Sequence, residues 1–357
     1  MSVASTSPLA AKASAAAAPA ALALPTPYLL FLGDVTEPGY AKTAFGLRDW
    51  AADNCIGEYV SDEKAVTTDL PRMTPAQAAA NGARAMIIAV ANSGGYIPES
   101  WYPALLEALA AGLDLVAGMH VRLAAVPGLA EAAREHGRRL IDVRKPPENI
   151  PVGTGIKRSG KRLLTVGTDC ALGKKYTALA LTNAFERRGL DVDFRATGQT
   201  GIMIAGGGIP MDAVVSDFLS GAAELLSPDA APGHWDVIEG QGSLLHPAYS
   251  AVSTGLLLGS QPDVFVVCHD PTRHRVLGHR DFVLPTIEEI ISLTMELGRR
   301  TNPSIRCGGI AYNTGALKPV EAERLMELDS DRLGLQVADP IRRGPAFERL
   351  VASCLEA

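Results

Sequence analysis

The sequence predicts a two-domain α/β protein, and three observations predict it. Apolar runs of strand length alternate with helical patterns, the signature of parallel sheets covered by helices. In the second half each run hands polar residues to a loop, which places those loops along one edge of a sheet. One run, Leu163-Leu164-Thr165-Val166, enters a loop bounded by Gly167 and Gly173 and followed by Lys174 and Lys175. That is the layout of a phosphate-binding loop.

The elements follow in order. The first unit, residues 27–155, carries expected strands at 28–32, 85–90, 113–117 and 140–143, with helices at 103–111 and 129–138. Asn92-Ser93-Gly94-Gly95 closes the second strand, and Arg144-Lys145-Pro146-Pro147 ends the pattern. A polar stretch at 153–161 reads as the linker. The second unit, residues 156–357, restarts with the strand at 163, then a helix at 174–188 closed by Gly189. Further strands are expected at 192–196, 236–238, 264–268 and 309–312. This order describes a Rossmann- or flavodoxin-like parallel-sheet domain followed by a P-loop NTPase-like α/β domain.

Composition narrows the function classes. A chain of 357 residues with 47% hydrophobic and 20% charged content has room for two domains and a sizeable core. Net charge is −6, with no basic block, so nucleic acid is not an expected partner. Five scattered cysteines without a C-x-x-C pair fit a reducing compartment, and the protein is expected in the cytoplasm. Residues 1–26 are rich in Ala, Ser and Pro with only Lys12 charged, and are expected to form a flexible tail. The tail has no basic start of a secretory signal, and no stretch has transmembrane length.

The phosphate loop departs from the usual pattern twice. Five residues rather than four separate its glycines, and Lys175 stands where a Ser or Thr hydroxyl would hold Mg²⁺. Thr177 lies two residues further along the helix, turned to roughly the opposite side. The loop is therefore equipped to hold a polyphosphate and poorly equipped to split one. Backbone N–H groups and the helix N-terminus favour the anion. Lys174 is the expected phosphate ligand and Lys175 a second charge, with Gly167, Thr168, Gly173 and Tyr176 completing the phosphate-site set.

Asp169, inside the loop, either contacts a hydroxyl or ammonium group or braces the loop. Glu239, at a strand end before Gly240-Gln241-Gly242-Ser243, has the position of a general base or metal ligand. His246 is a candidate acid or base, or a hydrogen-bonded loop histidine. His269, His274 and His279 with Arg273, Arg275 and Arg280 form the densest cationic cluster. On a helix, histidines five apart diverge by about 140°, so no metal is expected there. The arginines suit a carboxylate or phosphate, or a solvated turn. Arg195, ahead of Gly198-Gln199, offers similar anion chemistry.

Two resemblances bear on function. The phosphate loop, Glu239-Gly240-x-Gly242 and strand-end Asn313 resemble the corresponding parts of dethiobiotin synthetase-like P-loop proteins, over the second unit only. Longer runs resemble the D-glutamate N-acetyltransferase family. They are Asp142-Val143-Arg144-Lys145-Pro146-Pro147, Thr165-Val166-Gly167-Thr168-Asp169-Cys170-Ala171 and Ala196-Thr197-Gly198-Gln199-Thr200-Gly201-Ile202-Met203-Ile204. The longest is Ile238-Glu239-Gly240-Gln241-Gly242-Ser243-Leu244-Leu245-His246-Pro247-Ala248-Tyr249-Ser250. This second resemblance spans nearly everything after the tail.

It implies acetyl transfer from acetyl-CoA to the amine of a small acidic amino acid, D-glutamate, without a metal. A homo-oligomer is expected. Coenzyme A carries phosphates that must be held and not hydrolysed, which suits a loop with two lysines. For that reaction Lys174 and Lys175 are expected on phosphates and Asn313 on adenine. Glu239 is the expected base, with Asp169 and His246 as alternates, and N–H groups of Gly240 or Gly242 face the oxyanion. Arg195, Arg273, Gln199 and Gln241 are expected to hold the substrate. The competing expectations are a Mg-ATP-dependent ligase or kinase-like enzyme and a nucleotide-binding regulatory protein without turnover.

Overall fold

The computed structural model describes residues 22, 24–92 and 94–356. Most of the expected tail and Ser93 lie outside the described residues. Leu24 is already buried in the first core with Leu22 packed against it, so ordered packing begins ahead of residue 27.

The first sheet is built from β1 (Tyr28–Gly33), β2 (Cys55–Val60), β3 (Ala85–Ile88), β4 (Asp114–Ala117) and β5 (Leu140–Asp142). Between them run α1 (Lys42–Trp50), α2 (Pro75–Ala80), α3 (Tyr102–Ala110) and α4 (Leu129–Glu135). Strand order is β2-β1-β3-β4-β5, and every pairing is parallel. This is the flavodoxin-like order. In this sheet the strand not expected from the sequence is β2, because Gly57 and Glu58 interrupt its apolar pattern. Glu58 is fully buried, its carboxylate satisfied by the backbone N–H of Thr68 (2.6 Å) and the hydroxyls of Thr67 and Thr68 (2.5 Å each). Burial without those donors would be costly.

The second sheet contains β6 (Lys161–Gly167), β7 (Val192–Arg195), β8 (Trp235–Ile238), β9 (Val264–His269), β12 (Arg306–Tyr312) and β13 (Val337–Ala338), in the order β13-β12-β9-β6-β8-β7, all parallel. Its helices are α5 (Lys174–Glu186), α6 (Gln199–Ala205), α7 (Leu219–Leu226), α8 (Ser250–Ser260), α9 (Ile287–Gly298), α10 (Pro319–Leu333) and α11 (Pro345–Leu355). A separate antiparallel hairpin, β10 (Arg275–Val276) and β11 (His279–Val283), turns at Gly278 with φ +80°. The basic cluster is therefore not helical, and the expected helical divergence of its histidines does not apply.

Alternate residues of a strand face opposite sides, and helices cover both sides of this sheet. Leu164, Ile238 and Phe265 enter one core, while their neighbours Leu163, Val237 and Val264 enter the other. The first unit's core also takes in Ala196, Ile202 and Met203 from α6 and the loop before it. There α6 packs on α1, with the hydroxyls of Thr43 and Thr200 2.9 Å apart. The two units are joined by shared apolar packing rather than by a linker alone. Among the described residues no helix is long and apolar enough to cross a membrane.

Candidate active site

Strand ends from both sheets line one cleft of about 590 Å³. The second unit contributes the loop 170–173, Lys174, Lys175, Tyr176, Gly198–Thr200, Glu239–Gly242 and Asn313, while the first contributes Lys42 and Arg144. With Asp212 the lining holds four cations, Lys42, Arg144, Lys174 and Lys175, against two carboxylates, Glu239 and Asp212. Such a balance attracts a polyanion.

The phosphate loop leaves β6 at Gly167 and reaches α5 through Ala171 and Gly173, both in the left-handed region at φ +53° and +107°. Lys174, the first helical residue, is buried, and its Nζ donates to the Asp169 carbonyl at 2.7 Å. Burial pushes its ammonium below the usual lysine range. Lys175 is half-buried at the seam between the units, its Nζ 4.5 Å from the centre of the Tyr176 ring. Burial pushes its ammonium down to about 8. Tyr176 in turn stacks on Trp50 of α1, with ring centres 6.1 Å apart. Thr177 turns into the core, where its hydroxyl lies 3.4 Å from the Cys268 Sγ.

Glu239 follows β8 and is almost fully buried. One carboxylate oxygen accepts the backbone N–H groups of Thr197 (2.9 Å) and Gly198 (3.0 Å) at the start of α6. Burial raises its proton affinity above the usual carboxylate range, against the opposing pull of Lys175, those two N–H groups and Lys174. The acidic loop is pressed onto β6, since a Cβ on Gly240 would lie 1.6 Å from the Thr165 carbonyl. Gln241 is held by a bond from its amide to the Thr197 hydroxyl (2.9 Å). Gln199 spans to the first unit, where a Cβ on Gly118 would meet its side-chain oxygen at 2.1 Å. Asn313 sits at the end of β12, its backbone N–H donating to the His269 carbonyl (2.8 Å).

Several expected residues are placed differently. Asp169 lies behind the loop as its brace, accepting the backbone N–H groups of Cys170 (2.7 Å) and Leu277 (2.8 Å) and the Arg273 guanidinium (3.0 Å). Arg273 also donates to the Cys170 carbonyl (2.8 Å), so it staples the loop and does not face the cleft as a substrate ligand. His246 is buried behind the same loop. Its Nδ1 accepts N–H groups of Ala248 (3.0 Å) and Tyr249 (3.2 Å), which leaves the proton on Nε2, 3.5 Å from Asp169. Burial holds it below the usual histidine range, against the opposing pull of Asp169, and it does not line the cleft. Arg195 pairs with Asp236 (2.6 Å) and Asp193 (2.8 Å) and lines a different cavity. The Gly240 N–H, an expected oxyanion donor, is taken by the Thr165 hydroxyl (2.9 Å). Thr168 bonds His269 Nδ1 (2.9 Å), and its neighbour Gly167 approaches the Cys268 carbonyl, where a Cβ would lie at 3.1 Å.

Among the described residues two groups of side chains have metal-ligand spacing, Asp169 with Cys170 and His246, and Asp193 with His234 and Asp236. In each the carboxylates are already engaged by an arginine. Lys42, Arg144 and Asp212 were missed in the sequence as site residues. Arg144 carried a signal, since it directly follows a strand and so stands at the ligand-binding edge of its sheet.

Fold and site define a two-unit α/β protein whose Rossmann-like half closes one wall of a P-loop cleft. The chain belongs to the DUF1611 family. Residues 52–146 match its N-terminal domain of unknown function, described as Rossmann-like, and residues 151–351 match its C-terminal P-loop domain. The chain is 45% identical over 319 residues to a D-glutamate N-acetyltransferase of Tritonibacter scottomollicae, covering 89% of this chain and 96% of that one. It is 44% identical over 318 residues to a D-glutamate N-acetyltransferase of a Pseudoalteromonas species, with the same coverage. The crystal structure of a DUF1611 family protein from Anabaena variabilis superposes with a TM-score of 0.80 at 30% identity, over 92% of this chain and 98% of that one.

Proposed function

We propose that this protein transfers the acetyl group of acetyl-CoA to the amino group of D-glutamate, with Glu239 as general base. One juxtaposition carries the reading. A phosphate loop with paired lysines opens on the same cleft as a buried carboxylate of raised proton affinity. The activity named for two relatives at 45% and 44% identity supports the reaction and the substrate. The cleft volume lies within the ~300–1,000 Å³ usual for small-molecule sites. Lys174, Lys175 and the N-terminus of α5 suit the coenzyme's phosphates. Thr177 faces the core, so the usual hydroxyl for Mg²⁺ is missing, which matters little when no phosphoanhydride is split.

Glu239 takes a proton from the substrate ammonium, and the freed lone pair attacks the thioester carbonyl carbon. The C–N bond forms, the C–S bond breaks, and the second amine proton ends on the departing thiolate. The Glu239 proton then leaves to solvent, so one proton is released per turnover. A positioned base of this kind is worth about 10²- to 10⁴-fold in rate. Five free thiols among the described residues support the cytoplasm as its compartment.

The test is calorimetric titration with acetyl-CoA and, separately, Mg-ATP, followed by an assay for thiol release with D- and L-glutamate. The expected result is acetyl-CoA binding that Lys174→Ala abolishes, and thiol release that requires D-glutamate. Preference for Mg-ATP with ADP formation would replace acyl transfer with ligase or kinase chemistry. Tight nucleotide binding with no product from any amine would indicate a regulatory protein.

A further inference from the structure

Both arginines that the sequence offers for substrate carboxylates, Arg195 and Arg273, are committed elsewhere. A second, smaller cavity of about 160 Å³ supplies replacements. It lies where the chain leaves β4 and β5, at the carboxyl edge of the first sheet, the edge at which open α/β sheets bind ligands. Arg144 and Asp212 line both this cavity and the coenzyme cleft, so the two spaces meet at that ion pair. We propose that this cavity seats the amino-acid substrate, with Arg144 and Asp212 holding its amino-acid end and Arg122 and Lys145 its side-chain carboxylate.

Charge supports the assignment. The cavity presents Arg122, Arg144, Lys145 and His120 with the carboxylates of Asp142 and Asp212. D-glutamate presents two carboxylates and one ammonium, so each sign meets its opposite. The cavity is well below the ~300–1,000 Å³ of sites for drug-sized ligands, which suits one amino acid and excludes a nucleotide.

Polarity along the cavity follows from what is shared. Arg144 and Asp212 face the cleft, so the reacting amine belongs there, within reach of the coenzyme. Arg122, Lys145 and His120 line this cavity and not the cleft, and therefore meet the distal carboxylate. Arg122 is the principal cation of the three, because Lys145 also borders the larger cavity beside Arg195 and pairs with Glu148 at the surface (3.2 Å). Arg144 gives one hydrogen bond from its guanidinium, to Asp212, and keeps its other N–H donors for a carboxylate. Asp142 uses one oxygen to accept the Leu123 N–H (3.0 Å), which ties the loop after Arg122 to the end of β5.

The proposal rests on the acetyl-transfer reading for its substrate, and the experiment separates the two. Steady-state kinetics with D-glutamate and D-glutamine, and calorimetry with D-glutamate and acetyl-CoA, are run on the full chain and on Arg122→Gln and Arg144→Gln. Arg122 is exposed and its side chain makes no hydrogen bond among the described residues, so its variant remains informative if Arg144→Gln misfolds. Loss of a charge-assisted contact predicts a rise in KM for D-glutamate of about 10- to 100-fold in Arg122→Gln. Its kcat and acetyl-CoA affinity stay within about threefold, and preference for D-glutamate over D-glutamine collapses, which a purely structural role would not produce. Unchanged KM and preference in both variants, with the parent enzyme active, would overturn the cavity assignment alone. D-glutamate that binds the parent without being acetylated, and no longer binds Arg122→Gln, would support the cavity and overturn acyl transfer. No binding of D-glutamate to the parent would overturn both.

Discussion

Glu239 is tuned by position. A carboxylate so deeply buried would ordinarily be a liability, and here two N–H groups at the start of α6 hold one oxygen while burial raises its proton affinity. That brings a weak base toward the pH at which it must work. Glu239→Gln keeps the shape and removes the base. It should lower kcat by about 10²- to 10⁴-fold while acetyl-CoA affinity stays within about threefold by calorimetry. A loss below tenfold would move the base elsewhere. Lys175 makes the complementary prediction for pH. Its ammonium, pushed down to about 8, is charged below that pH and neutral above it. Attraction for phosphate is therefore complete below about 8 and fades as pH rises through it. Acetyl-CoA Kd should climb in alkaline buffer, and Lys175→Met should flatten that climb. A slope unchanged by the substitution would take Lys175 off the phosphates.

At the scale of elements, the phosphate loop depends on a partner far along the chain. Asp169 ties the loop to Arg273 and to the Leu277 N–H beside the β10–β11 hairpin. Asp169→Ala leaves two backbone donors unpaired and Arg273 with only the more distant carboxylate of Asp270 (3.8 Å), and should cost about 3–5 kcal/mol of stability by denaturant titration, as breaking a largely buried pair does. A cost under 1 kcal/mol would mean that the hairpin does not hold the loop. What was legible in the sequence divides along the same line. Lys174, Lys175, Glu239 and Asn313 were readable because each sits beside a strand end within its own short motif. Arg273, Asp169 and His246 share one cluster drawn from three loops, and local spacing carries no record of such a meeting. The hairpin was not foreseen because its strands span only two and five residues and carry little apolar alternation, leaving Gly278 as the one local mark of the turn. β2 was lost because its buried Glu58 depends on threonines ten residues on.

At the scale of the molecule, the first core is completed by Ala196, Ile202 and Met203 from the second unit. The units should therefore unfold together. Calorimetry is expected to show one transition, and Ile202→Ala, which empties a fully buried position, should lower stability by about 2–5 kcal/mol without splitting it. Two resolved transitions in the parent protein would contradict a common core. The parallel sheets themselves were readable from alternating runs, but their mutual packing was not, since α6 looks like any other helix until α1 lies against it.

The shared core also bears on inheritance. A recombination event that joined a foreign partner at the polar stretch 153–161 would seem harmless, because little apolar surface lies at the junction. It would nevertheless leave Ile202 and Met203, more than forty residues downstream, facing water, and leave the donor sheet with a gap beneath α1. The smallest heritable module is therefore the pair of units, and evolution of a new substrate on this scaffold is confined to changing loops within it.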